Sequence, residues 1–275
     1  MKTLLRSPSL RPAPRVAVAP APRWRLLFAA LALAGAWAVA SGLRTTVDYP
    51  VMRFLNRYAR VVPLADRAMA WLSTYYLLSG ALLMAFVWYG WFARPDAVTR
   101  ARLLGGTVAA FVAGMAGRVL QLSLPTHLRP MHDPVLAMTL PVAVEPSTLN
   151  HWSSFPSDHA AVQFGLAAAI GLVLPGVGWA ALVWVLLLNA VRVYLGVHFP
   201  TDIIGGAALG LLMVGLAQTG PAQAVSRRVT GWERTAPAAF YGLAFFISYQ
   251  VATLFDEARM VAVAAGRLLR HLLAG

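Results

Sequence analysis

The sequence contains no cysteine, which excludes disulfides, thiol nucleophiles and thiolate metal sites. Lysine is almost absent too: of 23 basic residues only Lys2 is a lysine. Acids are few, 10 against 23 bases, and charged residues make up 12% of the 275 positions. What fills the chain instead is apolar: 59% of residues, with a mean hydropathy of +0.65. A soluble domain of this length carries about twice the share of charge, roughly 25%. The composition therefore implies an integral membrane protein. The net charge of +13 does not indicate a nucleic-acid partner, because no binding-module motif or aromatic–basic stripe accompanies the arginines. Between apolar spans, arginines serve orientation in a bilayer.

Residues 1–23 are rich in Pro, Arg and Ala, lack periodicity and space their prolines so that no helix can form; a disordered basic tail is expected there. Seven apolar stretches follow, at 24–43, 68–93, 103–124, 157–174, 177–197, 202–219 and 238–255, separated by charged or Pro/Gly punctuation. The expected fold is all-α, a polytopic transmembrane helical bundle with a membrane domain over 24–221. A C-terminal extension over 222–275 would add one further spanning helix and an amphipathic helix at 256–275. The first stretch reads as an uncleaved anchor. A signal peptide ending in the small residues Ala38–Ser41 is the alternative, and either reading leaves residues 44–67 outside. There Val51, Phe54, Leu55 and Tyr58 recur at helical spacing with Arg53, Arg57 and Arg60 on another face, as in a helix lying along the interface. Basic residues gather in 1–25, at Arg94, Arg100 and Arg102, and at Arg227, Arg228 and Arg234, all cytoplasmic by the positive-inside rule.

Three polar clusters lie at span ends: "THLRPMHD" (126–133), "FPSDHA" (155–160) and "VRVYLGVHFPTD" (191–202). Each follows an odd number of crossings, so all three emerge on one face, the outer one in this orientation. Taken singly, Arg129 could be a snorkelling arginine, Ser157 an N-cap and His159 a helix-start residue. Several ionisable groups that can meet at membrane depth instead point to function.

The clusters resemble the type 2 phosphatidic acid phosphatases, or lipid phosphate phosphatases, a family sharing its fold with bacterial acid phosphatases and vanadium haloperoxidases. Its three motifs run Lys, six residues, Arg-Pro; then Pro-Ser-Gly-His; then Ser-Arg, five residues, His, three residues, Asp. Here the second reads Pro156-Ser157-Asp158-His159, and the third reads Val191-Arg192, five residues, His198, three residues, Asp202. Of the first, Arg129-Pro130 remains, with Leu122 at the position of the lysine; Arg118, one helical turn further back, is a candidate replacement. Asp158 stands where the family has glycine, and Val191 where it has serine. The resemblance covers residues 45–220 and leaves both tails outside.

Phosphoryl transfer needs fixed positive donors, an in-line nucleophile and an acid for the leaving oxygen. Arg129 and Arg192 offer planar forks to phosphate oxygens, Ser157 a hydroxyl, and the backbone N–H groups of Asp158 and His159 a helix N-terminus. The resemblance implies His198 as the nucleophile, oriented by Asp202, with His159 protonating the leaving oxygen. It implies no metal and no cofactor. A zinc site drawn from His127, His132, His151, His159 and His198 lacks the paired helical spacing of zinc enzymes. A lipid transporter would want inverted repeats, which are not evident. By analogy with the family, the expected substrate is a membrane lipid in a bacterial inner membrane: first a polyprenyl (undecaprenyl) pyrophosphate, then phosphatidylglycerol phosphate or phosphatidic acid. A lipid phosphotransferase or a non-catalytic lipid-binding relative remains open, because the lysine is missing and Asp158 is present.

Overall fold

Proline fixes where four helices begin: Pro63, Pro175, Pro200 and Pro237 each stand at the first helical position, where a missing N–H costs nothing. Side-chain caps open two more, with Asp96 accepting from the Thr99 N–H at 2.9 Å and Ser157 accepting from the Ala160 N–H at 3.3 Å. The computed structural model describes residues 42–253. The expected basic tail, nearly all of the first expected span and the amphipathic stretch at 256–275 lie outside the described residues.

Among the described residues the fold is all-helical, with nine α-helices and no strand. They are α1 (Tyr49–Asn56), α2 (Pro63–Thr74), α3 (Leu82–Ala93), α4 (Ala97–Ser123), α5 (Asp158–Gly171), α6 (Pro175–Tyr194), α7 (Pro200–Ala217), α8 (Gly220–Thr235) and α9 (Pro237–Ala252). Three of these, α4, α6 and α7, are long and apolar enough to cross a bilayer. This is a multi-pass membrane protein. The stretch expected as one span at 68–93 is bent by 60° between α2 and α3. The break falls just after Thr74, whose hydroxyl turns back to the Ala70 and Trp71 carbonyls, where Tyr75 is extended, at ψ 111°. A π-helical turn, Leu77–Ala81, carries the chain into α3. The segment between α7 and α9, read from the sequence as a basic connection, is itself the helix α8.

The centre of the bundle is α5, enclosed by α4, α6 and α7 and built from small residues that let backbones meet. Gly206 and Gly210, one turn apart on α7, lie directly on the start of α5. A Cβ on Gly206 would fall 2.2 Å from the Ser157 carbonyl oxygen, and one on Gly210 would fall 2.2 Å from that of Ala161. This contact sets the distance between the two helix starts that carry the second and third motifs.

The long segment between α4 and α5 is tied down by the α1–α2 region. Asn56 exchanges hydrogen bonds with Thr139, at 2.7 and 3.0 Å, and Arg60 Nε donates to the Leu140 carbonyl at 2.8 Å. The buried Asp66 carboxylate accepts from the Arg60 and Val142 N–H groups and from the Tyr194 hydroxyl. The stripe expected here is divided: Val51 and Leu55 are partly buried against the cluster of Tyr49, Met52, Val193 and Phe199, whereas Phe54 and Tyr58 are more than half exposed. In a membrane protein, apolar side chains on both sides of such a helix are consistent with protein on one side and lipid on the other.

Candidate active site

The main chain stitches the second and third motifs together, since the Ser157 N–H donates to the Asp202 carbonyl at 3.0 Å. The first joins them through Arg129, which is 3% exposed. Its Nη1 donates to the Val197 carbonyl at 2.8 Å and its Nη2 to the Ser153 carbonyl at 3.2 Å. Both partners are neutral carbonyls, so the guanidinium keeps its charge for something else. Burial pulls Arg129 below its ordinary range while Asp158 and Asp202 push back; a guanidinium stays protonated throughout.

His198 lies in the turn between α6 and α7 and is 1% exposed. Its Nδ1 is 3.1 Å from the Ser154 carbonyl oxygen and 3.5 Å from Asp202 Oδ2. Both neighbours only accept, which assigns the proton to Nδ1. The Nε2 lone pair then faces the Ser157 hydroxyl at 3.3 Å and Arg129 Nη1 at 3.4 Å. Burial pushes this imidazole from 6.5 down to about 4, with Asp202 opposing and the two nearby arginines assisting. Asp202 itself is fully buried, and its Oδ2 accepts from the Phe199 N–H at 2.7 Å.

Arg192 comes from the last turn of α6 and is buried. Its Nε and that of Arg129 are buried donors with no hydrogen-bond partner among the described residues. Unsatisfied guanidinium donors beside an imidazole lone pair suit a tetrahedral oxyanion. Ser157 is both things the sequence allowed: it caps α5 through Ala160 and reaches His198.

Asp158 and His159 open α5 as a pair. Asp158 Oδ1 accepts from the His159 N–H at 2.8 Å and lies 2.9 Å from His159 Nδ1. The carboxylate that replaces the family glycine thus holds the imidazole that follows it, and it takes up one of the two backbone N–H groups expected to point at an anion. Leu122, at the lysine position, is 76% exposed. Arg118 is half-buried, its Nη1 donating to Gln121 Oε1 at 2.6 Å and its guanidinium carbon 3.5 Å from the Trp152 ring centroid. Gln121 in turn donates to the Pro156 carbonyl at 2.7 Å, which ties this end of α4 to the second motif.

One member of the constellation escaped the motifs. His127 lies with Nδ1 3.5 Å from Asp202 Oδ1, and only the fold brings the two together. The sequence offered it only as a candidate ligand of the rival zinc site, and its place two residues before Arg129 did not point to Asp202. Among the described residues, no three His, Asp or Glu side chains gather as metal ligands.

A sequence model of the PAP2 superfamily matches residues 68–224, more than half of the chain and all three motifs. The chain belongs to the PAP2 superfamily. It is 27% identical over 166 residues to the bacitracin transport permease protein BcrC of Bacillus licheniformis, covering 60% of this chain and 76% of that protein. It is 22% identical over 176 residues to the undecaprenyl-diphosphatase BcrC of Bacillus subtilis, covering 61% of this chain and 80% of that protein. The fold is also similar to the crystal structure of a transmembrane PAP2 type phosphatidylglycerolphosphate phosphatase from Bacillus subtilis, with 23% identity and a TM-score of 0.47, over 71% of this chain and 92% of that one.

Proposed function

We propose that this PAP2 protein is a metal-independent lipid phosphatase that cleaves a polyprenyl diphosphate through a phosphohistidine on His198. The observation that carries the reading is the held imidazole: Nδ1 is committed to the Ser154 carbonyl and Asp202, and Nε2 faces Ser157 and Arg129. In the first step the Nε2 lone pair attacks the terminal phosphorus and the bond to the bridging oxygen breaks. His159, held by Asp158, gives that oxygen its proton. Arg129, Arg192 and the Ser157 hydroxyl take the charge that grows on the equatorial oxygens. Asp202 stabilises the ring as it becomes cationic. Water, deprotonated by His159, then attacks the phosphohistidine, and inorganic phosphate and the lipid monophosphate leave.

The choice of a polyprenyl diphosphate is supported by the similarity to the undecaprenyl-diphosphatase BcrC. An outward-facing site in the inner membrane is supported by the basic residues at the opposite end of the bundle, where Arg100 at the start of α4 pairs with Glu233 on α8 at 2.7 Å.

The test is phosphate release in detergent from a panel of a polyprenyl diphosphate, phosphatidylglycerol phosphate and phosphatidic acid, with EDTA present. Release is expected to be fastest from the diphosphate, to survive the chelator, and to fall by about 10³-fold or more in His198→Ala. Activity that vanishes with EDTA, or that persists in the variant, would sink the mechanism.

A further inference from the structure

The buried Asp202 carboxylate has two imidazole neighbours, and the proposed mechanism uses only one. His198 Nδ1 lies 3.5 Å from Oδ2, and His127 Nδ1 lies 3.5 Å from Oδ1. The His127 ring stands edge-on to Phe155 and Phe199, at centroid distances of 6.1 and 5.6 Å, so its position is fixed by packing. Ser154 joins both histidines. Its hydroxyl is 2.8 Å from His127 Nδ1 and its carbonyl oxygen is 3.1 Å from His198 Nδ1. That hydroxyl also donates to the His127 carbonyl at 3.1 Å, which spends its one proton. With the hydroxyl proton placed there, His127 Nδ1 carries a proton of its own, aimed between the Ser154 oxygen and Asp202 Oδ1. The counterpart atoms agree. Asp202 Oδ1 is buried with no hydrogen bond among the described residues, so the His127 Nδ1 at 3.5 Å is the contact left to it, and His127 Nε2, the accepting nitrogen of this tautomer, is buried without a partner among them.

We propose that His127 is a positioning residue for the phosphatase reaction: it holds the second oxygen of Asp202, so that the aspartate is shared between two histidines. The inference rests on the phosphohistidine reading above. With Oδ1 facing His127 Nδ1 at 3.5 Å and Oδ2 bonded by the Phe199 N–H at 2.7 Å, the carboxylate is kept from rotating away from His198 as the ring turns cationic. Sharing its charge also keeps Asp202 from drawing a proton onto His198 before substrate arrives. The charged groups around this pair are Asp202, Asp48, which lies within electrostatic range of His127, and Arg129, Arg192 and Asp158, which lie within range of His198.

The test compares wild type with His127→Phe, which keeps the aromatic packing and removes the donor, and with His127→Asn, which places an amide N–H near the Nδ1 position. In His127→Phe, kcat is expected to fall by about 10- to 100-fold, the scale seen for outer partners that orient functional imidazoles, with KM little changed. The acid limb of the pH–kcat/KM profile is expected to move to higher pH, because an unshared Asp202 favours the protonated His198. His127→Asn is expected to restore most of both. A His127→Phe enzyme with wild-type kcat and acid limb, or an Asn variant that loses as much as Phe does, would overturn the proposal. A wild type that releases no phosphate sinks the phosphatase reading and this inference with it, whereas an active wild type with an indifferent Phe variant sinks the inference alone.

Discussion

His198 joins two properties that pull against each other: it must be basic enough to attack phosphorus, yet buried so deeply that its charged form is penalised. Burial sets the balance, lowering its pKa from 6.5 to about 4. The nucleophile is the neutral form, so activity should be lost as pH falls through the lowered value and not through the ordinary one. A pH profile of kcat/KM is expected to keep its acid limb well below 6.5; an inflection at the ordinary histidine value would mean that the ring is solvated. At this scale the sequence was largely readable, because fixed spacings within one motif survive folding. Arg192, His198 and Asp202 fall within a single segment, so their proximity follows from the chain itself. His127 does not: its relation to Asp202 joins residues far apart in the chain and depends on how the 124–157 segment is laid down. Asp158 was visible as a departure from the family pattern, but whether its carboxylate meets phosphate or histidine depends on a rotamer that no spacing encodes.

At the level of elements, the site depends on how closely α7 approaches α5. Gly210→Ala would put a Cβ 2.2 Å from the Ala161 carbonyl oxygen, a backbone atom that can yield only by moving the helix. A loss of about 1–3 kcal/mol is expected, read as a lowered thermal midpoint in detergent. Gly215→Ala, on the same helix with nothing within 4 Å, serves as the control and should be neutral or slightly stabilising. Hydropathy made α4, α6 and α7 legible, since each is a long apolar run with clear punctuation. It failed at the bend between α2 and α3, where the apolar run continues through Tyr75 with neither Pro nor Gly at the break. It failed also at α8, whose arginines read as a connection although the segment is helical.

At the level of the whole molecule, the three polar clusters meet because they emerge from the same end of the bundle, which counting crossings anticipated without any structure. The missing cysteines make the orientation directly testable, because any introduced thiol is unique. Val135, 60% exposed in the segment between α4 and α5, should when changed to Cys react with a membrane-impermeant maleimide in intact cells. Cys in place of the exposed Arg234 on α8 should react only after permeabilisation; the reverse pattern would invert the topology. The enclosure of α5 has one more consequence. Protein motions that open a structure begin at its loosest parts, and amides inside the best-packed helix exchange their hydrogens last. Ser157, Asp158 and His159 sit at the mouth of that slowest element, with the Ser157 amide bonded to α7. On heating, these three residues should therefore hold their places until the bundle opens as one, their amides exchanging on the time scale of global unfolding.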